Sequence, residues 1–149
     1  WFAPALRPAE IAAAPRLAAL DDSSASLELR VHSYLDANCA ACHHPGGPSR
    51  GFYDARFNTP LAERKVINGE LQAGDLGIPG ARVILPGDPD KSILFERLKR
   101  TDFFRMPPVS VNNESPPVLP VLREWIHSLK TEASKSKVSE PKQRLTPGL

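Results

Sequence analysis

The stretch NCAACHH, residues 38–44, decides how the rest of the chain is read. It holds both cysteines of the 149-residue sequence, spaced Cys-x-x-Cys at Cys39 and Cys42, with His43 and His44 directly behind. Three chemistries use such a pair: covalent attachment of haem, a zinc site, and a redox dithiol. Immediately upstream, Leu27, Val31, Tyr34 and Leu35 recur at helical spacing, and Ser23, Ser24 and Ser26 are candidate N-caps. The spacing predicts a helix that runs into Cys39, with small residues at its end that leave room for a bulky group.

Cys-x-x-Cys-His is the attachment signature for c-type haem. Two thiols at this spacing can add to the two vinyl groups on one porphyrin edge, and the adjacent His43 can then offer an imidazole nitrogen to iron. A structural zinc site needs four ligands, usually two half-sites. There is no second cysteine pair, and His32 and His127 lie far away without finger spacing. A thioredoxin-type dithiol normally follows a strand and opens a helix, where the thiol pKa is lowered. Here the pair closes a helix and no alternating strand pattern precedes it. A module built on zinc or a disulfide, without haem, stays as an alternative.

Composition bounds the class. Charged residues make up 24% and hydrophobic residues 41%, ordinary for one globular domain with a real core. A formal net charge of +2 with interleaved signs gives no case for nucleic acid. No apolar run approaches the ~18 residues of a membrane helix. Proline is the outlier, 16 residues, where average usage of about 5% would give half as many. It favours a few helices joined by long, stiff loops over a large sheet. The chain opens at Trp1 without a signal-peptide pattern, and is read as processed or as a piece of a longer protein.

Outward from the motif, residues 1–25 are rich in Ala and Pro and read as a linker or approach segment, with a short helix that Pro15 interrupts. Residues 44–88 are mainly loop, with one short helix expected in TPLAERKVIN, capped by Thr59, with Pro60 in the first turn. A connection of this length is usually functional when ordered. In GDPDKSILFERLKR, Asp88 or Asp90 can cap a helix whose apolar side is Ile93, Leu94 and Leu98. The clearest helix carries Val118, Val121, Leu122, Trp125, Ile126 and Leu129 as one stripe, with Pro120 in its first turn. Residues 131–149 have almost no apolar content and are expected to be a disordered tail.

The only methionine, Met106, stands beside Pro107 and Pro108 in a loop between the last two helices. Prolines fix the backbone and can hold a sulfur in place. A thioether opposite a histidine raises the potential of haem iron, so Met106 is the candidate distal ligand. His127 falls opposite the apolar stripe of its helix, His32 falls off the stripe of the first, and His44 is too near His43 to reach the opposite haem face.

With these residues in view, positions 26–130 resemble a small monohaem c-type cytochrome domain. The attachment motif, connecting helix, Met-Pro loop and C-terminal aromatic helix come in that family's order. YLDANCAACHHPGG and LPGDPDKSILFERLKR…RMPPV look closest to such domains in larger exported bacterial proteins, often beside dehydrogenase-like modules. The resemblance implies an all-α, cytochrome c-like fold of three main helices, with long proline-rich loops around one haem. It implies Cys39 and Cys42 as the covalent anchors of haem c, with His43 and Met106 as axial iron ligands. It implies electron transfer rather than catalysis, transient redox partners or a fused dehydrogenase, and a periplasmic or otherwise extracytoplasmic location. The alternative within haem chemistry is an enzyme or sensor with an open distal site.

Two departures accompany it. Leu35 stands where that family often has an aromatic facing the last helix, with Trp125 as its counterpart. The loop after His43 is longer than usual, and the Pro45 and Pro48 carbonyls are weak candidates for the proximal imidazole N–H. Arg50, Arg56 and Arg82 are possible partners of haem propionates, each more simply read as solvated.

Overall fold

The computed structural model describes residues 5, 7–14, 16–108 and 116–138, with residues 130–138 described by their backbone. Among the described residues there are four helices: α1 (Pro8–Ala13), α2 (Leu27–Cys39), α3 (Ile93–Lys99) and α4 (Val118–Val138). Among the described residues there is no sheet, only isolated bridges between Ile67 and Ile84, Arg82 and Ser92, and Leu85 and Asp88. The described residues are therefore helical with no sheet, compatible with the all-α class and with the few helices and long loops that the proline content favours. No helix among the described residues is long and apolar enough to cross a membrane.

α2 begins where Ser26 Oγ accepts the Leu29 N–H at 3.1 Å, so Ser26 is the cap among the three serines. Its face buries Val31, His32, Ser33 and Leu35 against α4, which contributes Leu122, Trp125 and Ile126. Leu35 and Trp125 share this cluster, but the ring that meets Trp125 is His32, edge-on at 5.4 Å. His32 was expected off the packed stripe; it is only 5% exposed. Ser33 is buried for a second reason, because residues 18–20 strap across the helix. Ser33 Oγ accepts the Ala18 N–H, and Arg30 Nε donates to the Leu20 carbonyl. α1, by contrast, buries no residue.

α3 follows a single 3₁₀ turn, Pro89–Lys91, which Asp88 caps through the Lys91 N–H. Ser92 then precedes α3, whose Ile93, Leu94, Phe95 and Leu98 are buried. α4 places Pro120 in its first turn, as expected. The helix continues past Lys130 to Val138. Glu132, Ala133, Lys135 and Lys137 propagate a helix well once the apolar stripe has nucleated it. Of the expected tail, residues 139–149 lie outside the described residues.

The long connection is ordered by its own hydrogen bonds. The helix expected in TPLAERKVIN is one 3₁₀ turn, Leu61–Glu63, and Thr59 donates to Asp54 instead of capping it. Arg64 is the reason. Its buried guanidinium donates to the carbonyls of Phe57 and Thr59, folding the chain back on itself. Val66 and Ile67 then run beside residues 83–84, with Ile84 N–H on the Val66 carbonyl and Asn68 N–H on the Ile84 carbonyl. β-branched residues gain more from this packed, extended course than from another helical turn. Gly69 closes the stretch: a Cβ there would stand 2.0 Å from the Lys65 carbonyl oxygen.

The buried His32 makes stability depend on pH. Burial first, then the Arg64 charge, hold its pKa at about 4, below the ordinary 6.5. The unfolded chain takes up a proton that the fold refuses, so stability is complete above the ordinary value and falls as pH drops towards 4. The expected loss is on the order of 2–3 kcal/mol. Urea midpoints compared with those of His32→Gln across this window should isolate it. Identical pH slopes in the two proteins would contradict this account.

Candidate functional site

The motif is built on the end of α2. Cys39 is the last residue of the helix, and its carbonyl accepts the N–H groups of both Cys42 (3.1 Å) and His43 (2.8 Å). This turn swings His43 back under the helix end. The Cys42 carbonyl accepts the Ser49 N–H, and the His43 carbonyl accepts the Ala55 N–H, so the following loop is tied to the motif at two points. Gly47 permits the close return, since a Cβ there would lie 2.5 Å from the Cys42 carbonyl oxygen.

Cys39, Cys42, His43 and Met106 line one cavity of about 400 Å³. Its walls are largely apolar, with Leu71, Val83, Ile93, Leu94, Leu98 and Pro107 contributing from three parts of the chain. The size lies within the ~300–1,000 Å³ usual for cofactor and ligand pockets. Met106 reaches the cavity through the loop after α3, and its peptide bond to Pro107 is cis. Residues 109–115 of that loop lie outside the described residues.

Both cysteines are free thiols, Cys39 half-buried and Cys42 exposed. Burial, then the neighbouring Cys42, push the Cys39 thiol up to about 11. That is the reverse of the lowering a redox dithiol needs for its attacking thiol. Among the described residues no group of three or more His, Cys, Asp or Glu side chains is placed to hold a metal ion, whereas structural zinc takes four such ligands.

The His43 imidazole stacks on Tyr53, ring centroids 4.3 Å apart. Burial and then the Arg97 charge hold its pKa below the usual value, which leaves a neutral ring nitrogen available to a metal. Ser49 Oγ lies 3.1 Å from His43 Nδ1 and also receives the Gly51 N–H. The Ser49 hydroxyl, not the carbonyl of Pro45 or Pro48, is thus the group beside the imidazole. The Pro45 carbonyl instead faces His44 Nδ1 at 3.0 Å. The same hydroxyl lies 3.4 Å from His43 Nε2, so with the Tyr53 stack it bears on where the ring sits rather than on which nitrogen carries the proton.

Of the three arginines considered from sequence, Arg50 lines the cavity. Arg56 is committed to Asp54, donating from Nε and Nη2. Arg82 is exposed and donates to the Ala81 carbonyl. The cation that sequence reading missed is Arg97, in the cavity wall on α3. Its signal was present: it falls four residues after Ile93 and three after Leu94, a charge on an apolar helix face. His127 is exposed, as its position opposite the stripe implied.

The fold and the site define a small helical domain around an apolar cavity lined by two thiols, an imidazole and a thioether. Comparison with models of protein families, with curated proteins and with solved structures gives no match for this chain.

Proposed function

We propose that this chain is a cytochrome c-like electron-transfer domain with one covalently attached haem c. The observation that carries this reading is the meeting of Cys39, Cys42, His43 and Met106 in one apolar cavity, although Met106 comes from the far side of the sequence. The donor set fits the group: two thiols for the vinyl edge, a neutral imidazole and a thioether for iron, and apolar walls for the porphyrin. Haem iron held there supplies a one-electron Fe(II)/Fe(III) couple.

The chain's own residues do the rest. Cys39 and Cys42 would hold the cofactor through their sulfurs. His43 and Met106 would hold its iron, which would then serve electron transfer rather than substrate binding. Ser49 and Tyr53 orient the imidazole. Leu71, Val83, Leu94 and Leu98 exclude water, which keeps charge poorly solvated and so helps to set the potential. Phe103, 93% exposed, and Phe104 stand in the Met106 loop and offer a contact area for transient redox partners or a fused dehydrogenase. Haem c is attached outside the cytoplasm, so the reading implies a periplasmic or similar location.

The test is the absorption spectrum of the protein made with haem-c maturation, before and after Met106→Ala. A haem c spectrum is expected, with the weak sulfur-to-iron band of the ferric form, and the band should vanish in the variant. Haem c without that band, with CO or cyanide bound readily, would replace this reading by the open-site enzyme or sensor. No covalent haem would return the cysteines to zinc or a disulfide.

A further inference from the structure

Arg97 touches three walls of the cavity at once. Its Nη1 donates to the Phe104 carbonyl and its Nη2 to the Ala73 carbonyl, both at 3.1 Å. Its own backbone carbonyl accepts the Met106 N–H, also at 3.1 Å. One residue of α3 therefore holds the Met106 loop at two points, at Phe104 and at Met106 itself. It also ties that loop to residues 70–74, which line the same cavity.

The segment it holds has some internal order. Asp102 Oδ1 accepts the Phe104 N–H and the Asp102 carbonyl accepts the Arg105 N–H. Asp102 is in turn paired with Arg100. These bonds shape the turn but do not attach it to the cavity; the bonds to Arg97 do. The Arg97 guanidinium also lies over the Phe104 ring, 5.9 Å from its centroid. A planar fork can serve two carbonyls in different directions, which an ammonium cannot do equally well.

We infer that Arg97 is a positioning residue for Met106, clamping the distal loop so that the thioether stays at the cavity. The inference rests on the reading of Met106 as an iron ligand. Without the clamp the cofactor stays attached through Cys39 and Cys42, but the thioether leaves more often. Replacing the side chain leaves the Met106 N–H on the backbone carbonyl of residue 97, but removes the bond to the Phe104 carbonyl and the tie to Ala73. Losing a charge-assisted bond of this kind from the loop should raise the ligand-off population about tenfold.

The experiment compares the full-length haem-loaded chain with Arg97→Gln and Arg97→Lys. The ferric sulfur-to-iron band and the rate of CO binding to the ferrous form are read together. Arg97→Gln is expected to keep haem c but weaken the band, and to bind CO about tenfold faster. Arg97→Lys, retaining charge and stem, should fall between, and it carries the test if Arg97→Gln does not fold. A band absent from the unsubstituted protein would overturn the ligand assignment, and this inference with it. A band present there, with band and CO rate both unchanged in the folded variants, would overturn the role of Arg97 alone.

Discussion

Serine at both Cys39 and Cys42 is expected to leave the chain with no covalently bound haem, where the native sequence is expected to carry one under the same maturation. The thiol is the group that reacts: its sulfur bonds to one vinyl carbon and its hydrogen goes to the other, so no oxidant is needed. A serine hydroxyl is far less nucleophilic and forms no such bond under these conditions. The substitution is close to isosteric, and neither thiol is a fully buried core group. Each carbonyl and N–H of the motif turn belongs to the backbone, so the turn and cavity should persist. Haem could still enter the double variant and bind His43, but it would leave on denaturation. Acid–organic extraction and haem staining of a denaturing gel separate the two cases. Covalent haem in the double variant would remove the cysteines from the proposal. None in the native chain would remove haem c altogether.

How much of this could be read from sequence follows from which interactions are local. α2, α3 and α4 were legible because Val31 and Leu35, Leu94 and Leu98, and Leu122, Trp125 and Ile126 repeat at helical spacing. Cys39, Cys42 and His43 were legible as a motif, and Met106 as the only methionine in a proline-fixed loop. The failures depend on partners that helical spacing does not bring together, some a few residues away and some distant in the chain. TPLAERKVIN has helical caps and spacing, but Arg64 finds the Phe57 and Thr59 carbonyls, and Val66 finds the backbone at Ile84. His32 is off the apolar stripe, yet the indole of Trp125 covers it. Ser49 and Tyr53 meet His43 only after the loop has returned to the motif. Arg97 stands out as a charge on the apolar face of α3, but its partners are not visible until the loops at Ala73 and Phe104 arrive. Helix existence is a local property; the polar fittings of a cavity are not.

Trp125→Ala should be the most damaging single change to the scaffold. The indole is 2% exposed and sits among Val31, Leu35, Leu122 and Ile126, where α4 meets α2. Truncating a buried tryptophan removes its transfer energy and leaves a cavity, at a cost of about 3–5 kcal/mol. Domains of this size have about 5–15 kcal/mol in all, so a large part of the margin disappears. The damage also exposes His32, whose ring lies edge-on to the indole and is otherwise held neutral by burial. The site shares in this loss through geometry. Leu35 is one helical turn before Cys39, so the surface that seats α2 on α4 also sets where the thiols stand. Trp125→Phe keeps an apolar ring against Leu35 and should recover much of the stability. Thermal melts of the full-length chain, at matched haem loading and followed by helical circular dichroism, should rank native above Trp125→Phe above Trp125→Ala. A loss below about 0.5 kcal/mol in the alanine variant would be typical of a surface position. In that case the α2–α4 contact could not be the element that holds Cys39 at the cavity.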